Sequence, residues 1–245
     1  MKDDFLSEHQ IDQSRLLGIG LAVQAPIKDF QPIAVPYART RIADMDQGMI
    51  SAAFGHGIMI NNDAKMASLA QLWGAGEEKD LVYVMLSSGV GGAIITDHRL
   101  LRGNSRNAEF GHMIIHDGGK LCGCGQRGCL SSYCSSSALR EQSGVDLNEF
   151  FADLTAGNVI YREIWLEYLE NLALAVSNLY LVFDTEIILG GEMSPYIKNS
   201  LDEFRVILSR RNPFEGSGNY VRIGNYGEFD SAFGAALVRI DEFLT

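Results

Sequence analysis

Residues 111–134 read GHMIIHDGGKLCGCGQRGCLSSYC and contain all four cysteines of the chain. Three of these cysteines follow His112 in a Cys-x-Cys-x4-Cys spacing, and five glycines lie between positions 118 and 128. Structural zinc takes four nitrogen or sulfur ligands, and a glycine-rich backbone can fold around an ion while the thiolates converge. One imidazole and three thiolates fill that shell, so the pattern predicts a structural zinc site at His112, Cys122, Cys124 and Cys129.

Other interpretations of the same stretch stay open at this point. The cysteines can be reduced thiols in a flexible loop, and His116 and Cys134 compete as ligands. Four cysteines spread along a secreted chain would suggest disulfides. All four lie within residues 122–134 of a chain without secretory features, and that clustering favours a metal.

Composition excludes several classes of protein. The chain has 245 residues, of which 47% are hydrophobic and 21% charged, with only 5 prolines, so it is neither disordered nor collagen-like. No apolar run approaches the roughly 20 residues of a membrane span, and the acidic N-terminus is unlike a signal peptide. We therefore expect a cytoplasmic protein without a membrane partner. The net charge of -11 opposes binding to phosphate backbones, so we expect no nucleic acid bound by this chain alone.

Strand patterns alternate with helix patterns, which predicts the α/β class. Residues 81–103 read as a β-meander around the glycine turn SSGVGG at 87–92. Residues 27–41 read as loop. The predicted strands are 17–23, 58–60, 81–86, 92–96, a short one after His98, 186–191 and 220–224. The predicted helices are 3–17, 42–54, 64–74, 130–140, 146–155, 157–182, 193–210 and 229–244.

Three polar features admit both a structural and a functional interpretation. Asn62 and Asp63 lie where a strand gives way to a helix, which favours a helix cap but also suits a ligand site at the carboxyl end of a strand. The SSGVGG turn is either a plain hairpin or a phosphate cradle. Glu109 and His112 are three residues apart, so both can project to one side of a helical turn.

The order of these motifs resembles the ROK family, named for repressors, open reading frames and sugar kinases. The segments that carry the resemblance are GIGLAV, INNDAKMASLAQ, YVMLSSGVGGAII, LLRGNSRNAEFGH, CGCGQRGCL and IILGG, which together cover the chain from about Leu17 to its end. The resemblance implies the actin-like, ribonuclease H-like ATPase fold, with a sugar in the cleft.

The resemblance also implies roles for individual residues. Asp63 matches the catalytic base, and Asn62, Asp63, Glu109 and His112 match sugar ligands. His112 also matches a zinc ligand with Cys122, Cys124 and Cys129, without His116 or Cys134. The implied nucleotide-binding residues are Ser88, Gly89, Gly91, Gly190 and Gly191.

This sequence departs from the family pattern at several positions. Ser131 replaces a sugar-binding glutamate, Gln24 and Ala25 replace a Pro-Gly pair, and Ser87 and Gln71 replace the usual glycine and glutamate. The Asp-x-Gly-Gly-Thr phosphate loop of the family's opening strands is absent. We therefore expect an incomplete first domain, with residues 1–61 as its remainder, 62–228 as the larger domain with the zinc loop 111–129, and 229–245 as a returning C-terminal helix.

These departures favour the sugar-sensing, oligomer-forming domain of a ROK-type transcriptional regulator, with structural Zn²⁺ and DNA contacted through a missing N-terminal domain. One alternative is a sugar kinase that uses ATP and Mg²⁺ to phosphorylate a hexose or N-acetylhexosamine. A further alternative is a non-catalytic structural homologue. The family resemblance also implies a homodimer or homotetramer.

Overall fold

The computed structural model describes residues 2–28, 31–32, 47–73 and 80–244. Helices and strands alternate through this part of the chain. The helices are α1 (Lys2–Glu8), α2 (Gln47–Phe54), α3 (Asp63–Leu72), α4 (Ser131–Cys134), α5 (Ser136–Ser143), α6 (Leu147–Thr155), α7 (Val159–Phe183), α8 (Ser194–Asn199), α9 (Leu201–Ser209) and α10 (Asp230–Leu244). The strands are β1 (Ile19–Val23), β2 (Ile27–Lys28), β3 (Gln31–Pro32), β4 (Ile58–Asn62), β5 (Leu81–Leu86), β6 (Val90–Thr96), β7 (Arg99–Leu100), β8 (Glu186–Gly190) and β9 (Val221–Ile223).

A five-stranded mixed sheet forms the centre of the molecule, in the order β7-β6-β5-β8-β9. Strands β5, β6 and β7 pair antiparallel, which confirms the predicted meander. Strands β8 and β9 extend the sheet in parallel, as strands reached through helical crossovers do. The predicted α/β class is confirmed.

A smaller parallel pair, β1 with β4, ends next to the candidate site. Its register runs from Ile19 opposite Ile58 to Val23 opposite Asn62. The chain enters α3 directly after Asn62, so the polar pair predicted from the sequence lies at the carboxyl edge of these strands. Ligands in α/β folds bind at such edges.

The main core lies between the central sheet and the helices that follow the cysteine loop. It contains the fully buried Phe150, Trp165, Leu169, Leu189 and Phe204. On the other face of the sheet, a smaller cluster packs beside α3. Much of α7 therefore belongs to the core, as its apolar pattern predicts, while Val159 and Val182 near its two ends are exposed.

Helix α10 packs against both α3 and β1. A Cβ atom at Gly234 would overlap the carbonyl oxygen of Met66 in α3, and one at Gly20 in β1 would overlap the backbone of Ala235. These contacts bring the C-terminal helix back onto the strand pair near the start of the chain, and both depend on glycine.

Two predicted helices are each divided by a serine. The helix predicted at 130–140 breaks at Ser135, whose side chain accepts a hydrogen bond from the backbone N–H of Ala138 and so caps α5. The helix predicted at 193–210 breaks at Ser200, whose hydroxyl accepts a hydrogen bond from Trp165 at 2.9 Å. The helix predicted at 3–17 ends at Glu8 and is followed by a 3-10 turn at Gln13–Arg15.

Some predictions fall outside the described residues. These are most of the loop 27–41, the first part of the helix at 42–54, and the helix end at Gly74. The described part of 27–41 was predicted wrongly as loop, because β2 and β3 pair antiparallel there. No helix among the described residues is long and apolar enough to cross a membrane.

Candidate functional site

Asn62 and Asp63 form the junction between β4 and α3. Asn62 caps the helix, because its Oδ1 accepts a hydrogen bond from the N–H of Lys65 at 3.0 Å. Its Nδ2 donates to Ala25 O at 3.1 Å and to Asp63 Oδ1 at 3.2 Å. The capping interpretation is therefore correct for Asn62, and the same bonds hold the carboxylate of Asp63 in place.

Asp63 has the chemistry of a proton acceptor. Burial raises its pKa from 3.8 to about 6, and the nearby Glu109 adds to that rise, while the hydrogen bond from Ala64 N–H opposes it. A general base works best when its pKa lies near the working pH.

Glu109 and His112 are held at the two ends of a 3-10 turn, Phe110–His112. Phe110 is buried, and its ring lies so close to Gly92 of β6 that a Cβ there would overlap it. Burial raises the pKa of Glu109, while His112 and Lys65 act to lower it. The turn is thus anchored to the sheet and presents a carboxylate and an imidazole from one short segment.

The four predicted metal ligands converge. Their ligand atoms all lie within 4.8 Å of one another, with Cys124 Sγ and Cys129 Sγ 3.8 Å apart and Cys122 Sγ 3.9 Å from His112 Nδ1. Two thiolates bound at about 2.3 Å and the tetrahedral angle lie roughly 3.8 Å apart, so the donor set fits a tetrahedral ion such as zinc.

The electrostatics of this cluster also favour a cation. The pKa of Cys129 is raised to about 12, chiefly by burial and also by the adjacent sulfur atoms of Cys122 and Cys124, which disfavour another negative charge. A divalent ion among the sulfurs would reverse this effect by stabilising the thiolates.

Backbone bonds shape the loop around the cluster. Gly125 N–H donates to Cys122 O at 2.9 Å, and Cys122 N–H donates to Gln126 O at 2.8 Å. Gly128 has a φ of +83°, and a Cβ there would overlap the carbonyl of His116. The glycine at this position is therefore needed both for its backbone conformation and for close packing.

His116 and Cys134, the two competing ligand candidates, form hydrogen bonds to other residues. His116 Nε2 lies 2.6 Å from Asn171 Oδ1, and Cys134 is fully buried with its Sγ donating to Tyr168 O. The cluster of four excludes both residues, as the family resemblance implied.

One cleft of about 970 Å³ connects these groups. Its lining contains Asn62, Asp63, Glu109 and His112, together with Cys122 and Cys124 of the metal loop. Cys129 does not line the cleft and is fully buried.

Most positions that depart from the family pattern also line the cleft. These are Gln24, Ala25, Ser87 and Ser131, whereas Gln71 does not line it. Ser131 Oγ accepts a hydrogen bond from Val90 N–H at 3.2 Å.

The predicted nucleotide residues divide into two groups. Ser88, Gly89 and Gly91 line the cleft, whereas Gly190 and Gly191 do not. A Cβ at Gly190 would overlap the hydroxyl of Tyr83, and Gly191 has a φ of +82° and lies against Leu86. Close packing is therefore one reason for glycine at both positions of this second pair.

Several residues that line the cleft were not predicted from the sequence. Lys120, Ser132, Ser135, Ser137, Glu141 and Gln142 also face the cleft. Ser137 and Glu141 are four residues apart and so share one face of α5. That spacing was visible in the sequence, but nothing in it indicated which face of α5 meets the cleft.

The profile of the ROK family matches residues 3–241. The chain belongs to the ROK family. It is 27% identical over 247 residues to a xylose repressor of Bacillus subtilis, covering 94% of this chain and 62% of the relative. It is 31% identical over 158 residues to a glucokinase of Halalkalibacterium halodurans, covering 56% of this chain and 43% of the relative.

A solved ROK structure has the same fold. The ROK family glucokinase from Streptomyces griseus, in complex with glucose and AMPPNP, superposes with a TM-score of 0.79 at 23% identity, covering 90% of this chain and 80% of that one. The predicted actin-like fold is thereby confirmed. This ROK chain spans about half the length of the curated relatives it matches, 56% of a putative xylose repressor of Caldicellulosiruptor among them.

Proposed function

We propose that this chain is the sugar-sensing domain of a ROK-type transcriptional regulator, with a structural zinc ion at the His/Cys cluster. The observation that carries the proposal is the shared cleft, which Asn62, Asp63, Glu109 and His112 line together with the metal loop. Carboxylates and an amide suit the hydroxyl groups of a sugar, because they accept and donate several directed hydrogen bonds.

The metal loop links architecture to ligand binding. His112 would bind zinc, together with Cys122, Cys124 and Cys129, and it also lines the cleft. The second ring nitrogen of a metal-bound imidazole is available to a hydrogen-bond partner, and such partners fix the orientation of the ring. The zinc ion then holds a sugar-binding residue in position without taking part in chemistry.

One observation favours a regulator over a kinase. Beyond the Gly190–Gly191 turn, the carboxylate of Glu192 accepts hydrogen bonds from Ser136 and Arg140, each at 2.5 Å, so a carboxylate is fixed beside the turn that the family resemblance assigns to a nucleotide.

The kinase remains a second candidate because of Asp63. A carboxyl group with a pKa of about 6, held at the start of a helix, suits the removal of a proton from a sugar hydroxyl. In that case bound ATP and Mg²⁺ would supply the phosphoryl group, and Ser88, Gly89 and Gly91 are the cleft residues that would contact the nucleotide.

Calorimetry against hexoses, pentoses and N-acetylhexosamines tests sugar binding. We expect at least one ligand, whose affinity falls at least about ten-fold in Glu109→Ala and stays unchanged in Glu163→Ala, an exposed glutamate on α7. Absence of binding across the panel would refute the proposal and favour a structural homologue.

Sugar-dependent ATP turnover separates the two candidates. We expect none from this chain, with the ligand found by calorimetry as the substrate. Robust turnover that is lost in Asp63→Asn would establish the kinase instead.

A further inference from the structure

The cleft continues past the four proposed sugar ligands along one face of α5. Ser137, Ala138, Glu141 and Gln142 line it, at spacings of one helical turn. Ser137, Glu141 and Gln142 are exposed, so the hydroxyl of Ser137 and the carboxylate of Glu141 are accessible to a ligand, while the amide of Gln142 bonds to Lys120 and Glu167.

This face of α5 is held firmly in place. The backbone N–H of Ser136 donates to Ser87 O at 2.8 Å, which ties the start of the helix to the SSGVGG turn. The opposite side of the helix buries Leu139 and bonds Ser136 Oγ to Glu192. The wall is thus formed before any ligand arrives, which lowers the entropic cost of binding.

We propose that the ligand of this cleft contains at least two sugar rings, and that the second ring binds against the α5 wall, which is defined here as Ser137, Ala138, Glu141 and Gln142. This inference rests on the proposed function, because the first ring is placed at Asp63 and Glu109.

The size of the cleft supports a ligand larger than one ring. Its volume of about 970 Å³ lies at the upper end of the roughly 300–1,000 Å³ that small-molecule sites span. One pyranose ring bound by Asp63, Glu109 and His112 would fill only part of that volume.

The chemistry of the wall matches a saccharide. The hydroxyl of Ser137 and the carboxylate of Glu141 offer a donor and acceptors to ring hydroxyls. The amide of Gln142 holds Lys120 beside them, through a 3.0 Å hydrogen bond from Lys120 Nζ to Gln142 Oε1, and Leu121 is 65% exposed. An exposed leucine beside polar groups suits the apolar face of a sugar ring.

The charge of the lining disfavours a nucleotide as the second occupant. Asp63, Glu109 and Glu141 carry negative charge into the cleft, against the single lysine, Lys120, among those lining residues that the structure describes. A polyphosphate would meet repulsion there. A neutral sugar ring meets none.

The experiment compares monosaccharides with their disaccharides. Calorimetry on the full chain uses glucose, xylose and N-acetylglucosamine, then α- and β-linked disaccharides of each, then ATP with Mg²⁺. We expect one disaccharide to bind at least about ten-fold more tightly than its monosaccharide, and ATP to bind no more tightly in the presence of that monosaccharide than in its absence.

Two variants locate the second ring. In Ser137→Trp a large side chain at an exposed position occupies the space against the α5 wall. The variant should therefore lose the extra affinity that the second ring provides and keep monosaccharide affinity within about two-fold. Glu141→Gln should lower disaccharide affinity alone, whereas Glu163→Gln on α7 should change neither. Thermal unfolding of each variant checks that the fold is retained.

The outcomes separate this inference from the proposed function. Monosaccharide binding without any gain from a second ring overturns the inference and leaves the function standing. A gain that survives Ser137→Trp overturns the placement, and ATP binding that strengthens with the monosaccharide assigns this part of the cleft to a nucleotide. Absence of any sugar binding overturns both.

Discussion

The hydroxyl of Tyr83 donates a 2.5 Å hydrogen bond to Oδ2 of Asp230, and this bond joins the central sheet to the first residue of α10. Oδ1 of the same carboxylate accepts from Gln71 Nε2 at 2.8 Å and from Tyr226 N–H at 3.0 Å. Asp230 is 1% exposed, so these donors replace the water that the carboxylate loses on folding. The network holds together β5, α3 and α10.

This network gives a physical reason for glutamine at position 71. The family pattern has a glutamate at this position, which would place a second carboxylate beside the buried Asp230. The amide of Gln71 instead donates to Asp230, and its Oε1 accepts from Asn225 N–H at 3.0 Å. The departure from the family pattern is thus compatible with a buried, fully bonded carboxylate.

Tyr83→Phe should destabilise the protein by about 1–3 kcal/mol, because it leaves one oxygen of a buried carboxylate without its donor. Tyr226→Phe is the matched control, since its hydroxyl lies in an exposed contact 3.5 Å from Trp73 O. Urea unfolding of both variants measures the difference. Equal losses in the two variants would contradict a special role for the Tyr83–Asp230 bond.

Gly234→Ala tests the contact between α10 and α3. Alanine raises helix propensity by about 1 kcal/mol over glycine, but here its Cβ would overlap Met66 O, so we expect a net loss of roughly 1–3 kcal/mol. Gly216→Ala is the control, because a Cβ there meets open space. A more stable Gly234→Ala variant by thermal unfolding would refute the close packing.

The apolar periodicity of the sequence predicted most of the helices and strands, but not the residues at which two predicted helices are interrupted. Strand β5 and helices α6, α7 and α10 begin and end within two residues of the predicted bounds, because apolar spacing marks their buried faces. At the breaks, Ser135 accepts a hydrogen bond from the backbone N–H of Ala138, and Ser200 accepts one from Trp165. Nothing in local sequence marks Ser200 as the partner of a tryptophan 35 positions away.

The candidate site was predictable where its residues share a motif. The metal cluster is formed within residues 112–129, where the spacing of the cysteines indicated a metal site and the family resemblance implied that His116 and Cys134 lie outside it. By contrast, the position of the α5 wall depends on the tertiary fold. The bond from Ser136 N–H to Ser87 O connects the start of α5 to a turn 49 positions earlier in the chain. Contacts of that kind follow from the tertiary fold, and a single sequence does not reveal them.

Metal content tests the His/Cys cluster. The purified protein should carry about one equivalent of zinc, and Cys124→Ser should lose most of it, because three ligands hold the ion less tightly than four. Cys134→Ala should keep its zinc, since Cys134 lies outside the cluster and bonds to Tyr168 O. Elemental analysis decides the matter. A wild-type protein without metal, prepared free of chelator, would rule out the site.

Asp63→Asn should stabilise the protein above about pH 6. Burial raises the pKa of Asp63 from 3.8 to about 6, so the folded state binds its proton more tightly than the unfolded state does. The contribution of Asp63 to the free energy of unfolding therefore falls as the pH rises from about 4 to about 6, and it stays constant at higher pH. Two pKa units correspond to about 3 kcal/mol, and partial solvent contact lowers the expected gain to roughly 1–3 kcal/mol.

Urea unfolding of the wild type and of Asp63→Asn at about pH 4.5 and about pH 7.5 measures that gain, because titrating groups that do not interact with Asp63, unlike the nearby Glu109, cancel in the difference between the two proteins. The gain from the substitution should be larger at the higher pH. Asp153→Asn, on an exposed position of α6, should show the same small difference at both. If the advantage of Asp63→Asn shrinks as the pH rises, the carboxylate is stabilised in the fold and is not poised as a base. A larger advantage at high pH means that the fold tolerates a desolvated carboxylate at the junction of β4 and α3, where it is placed to accept a proton from a bound hydroxyl group.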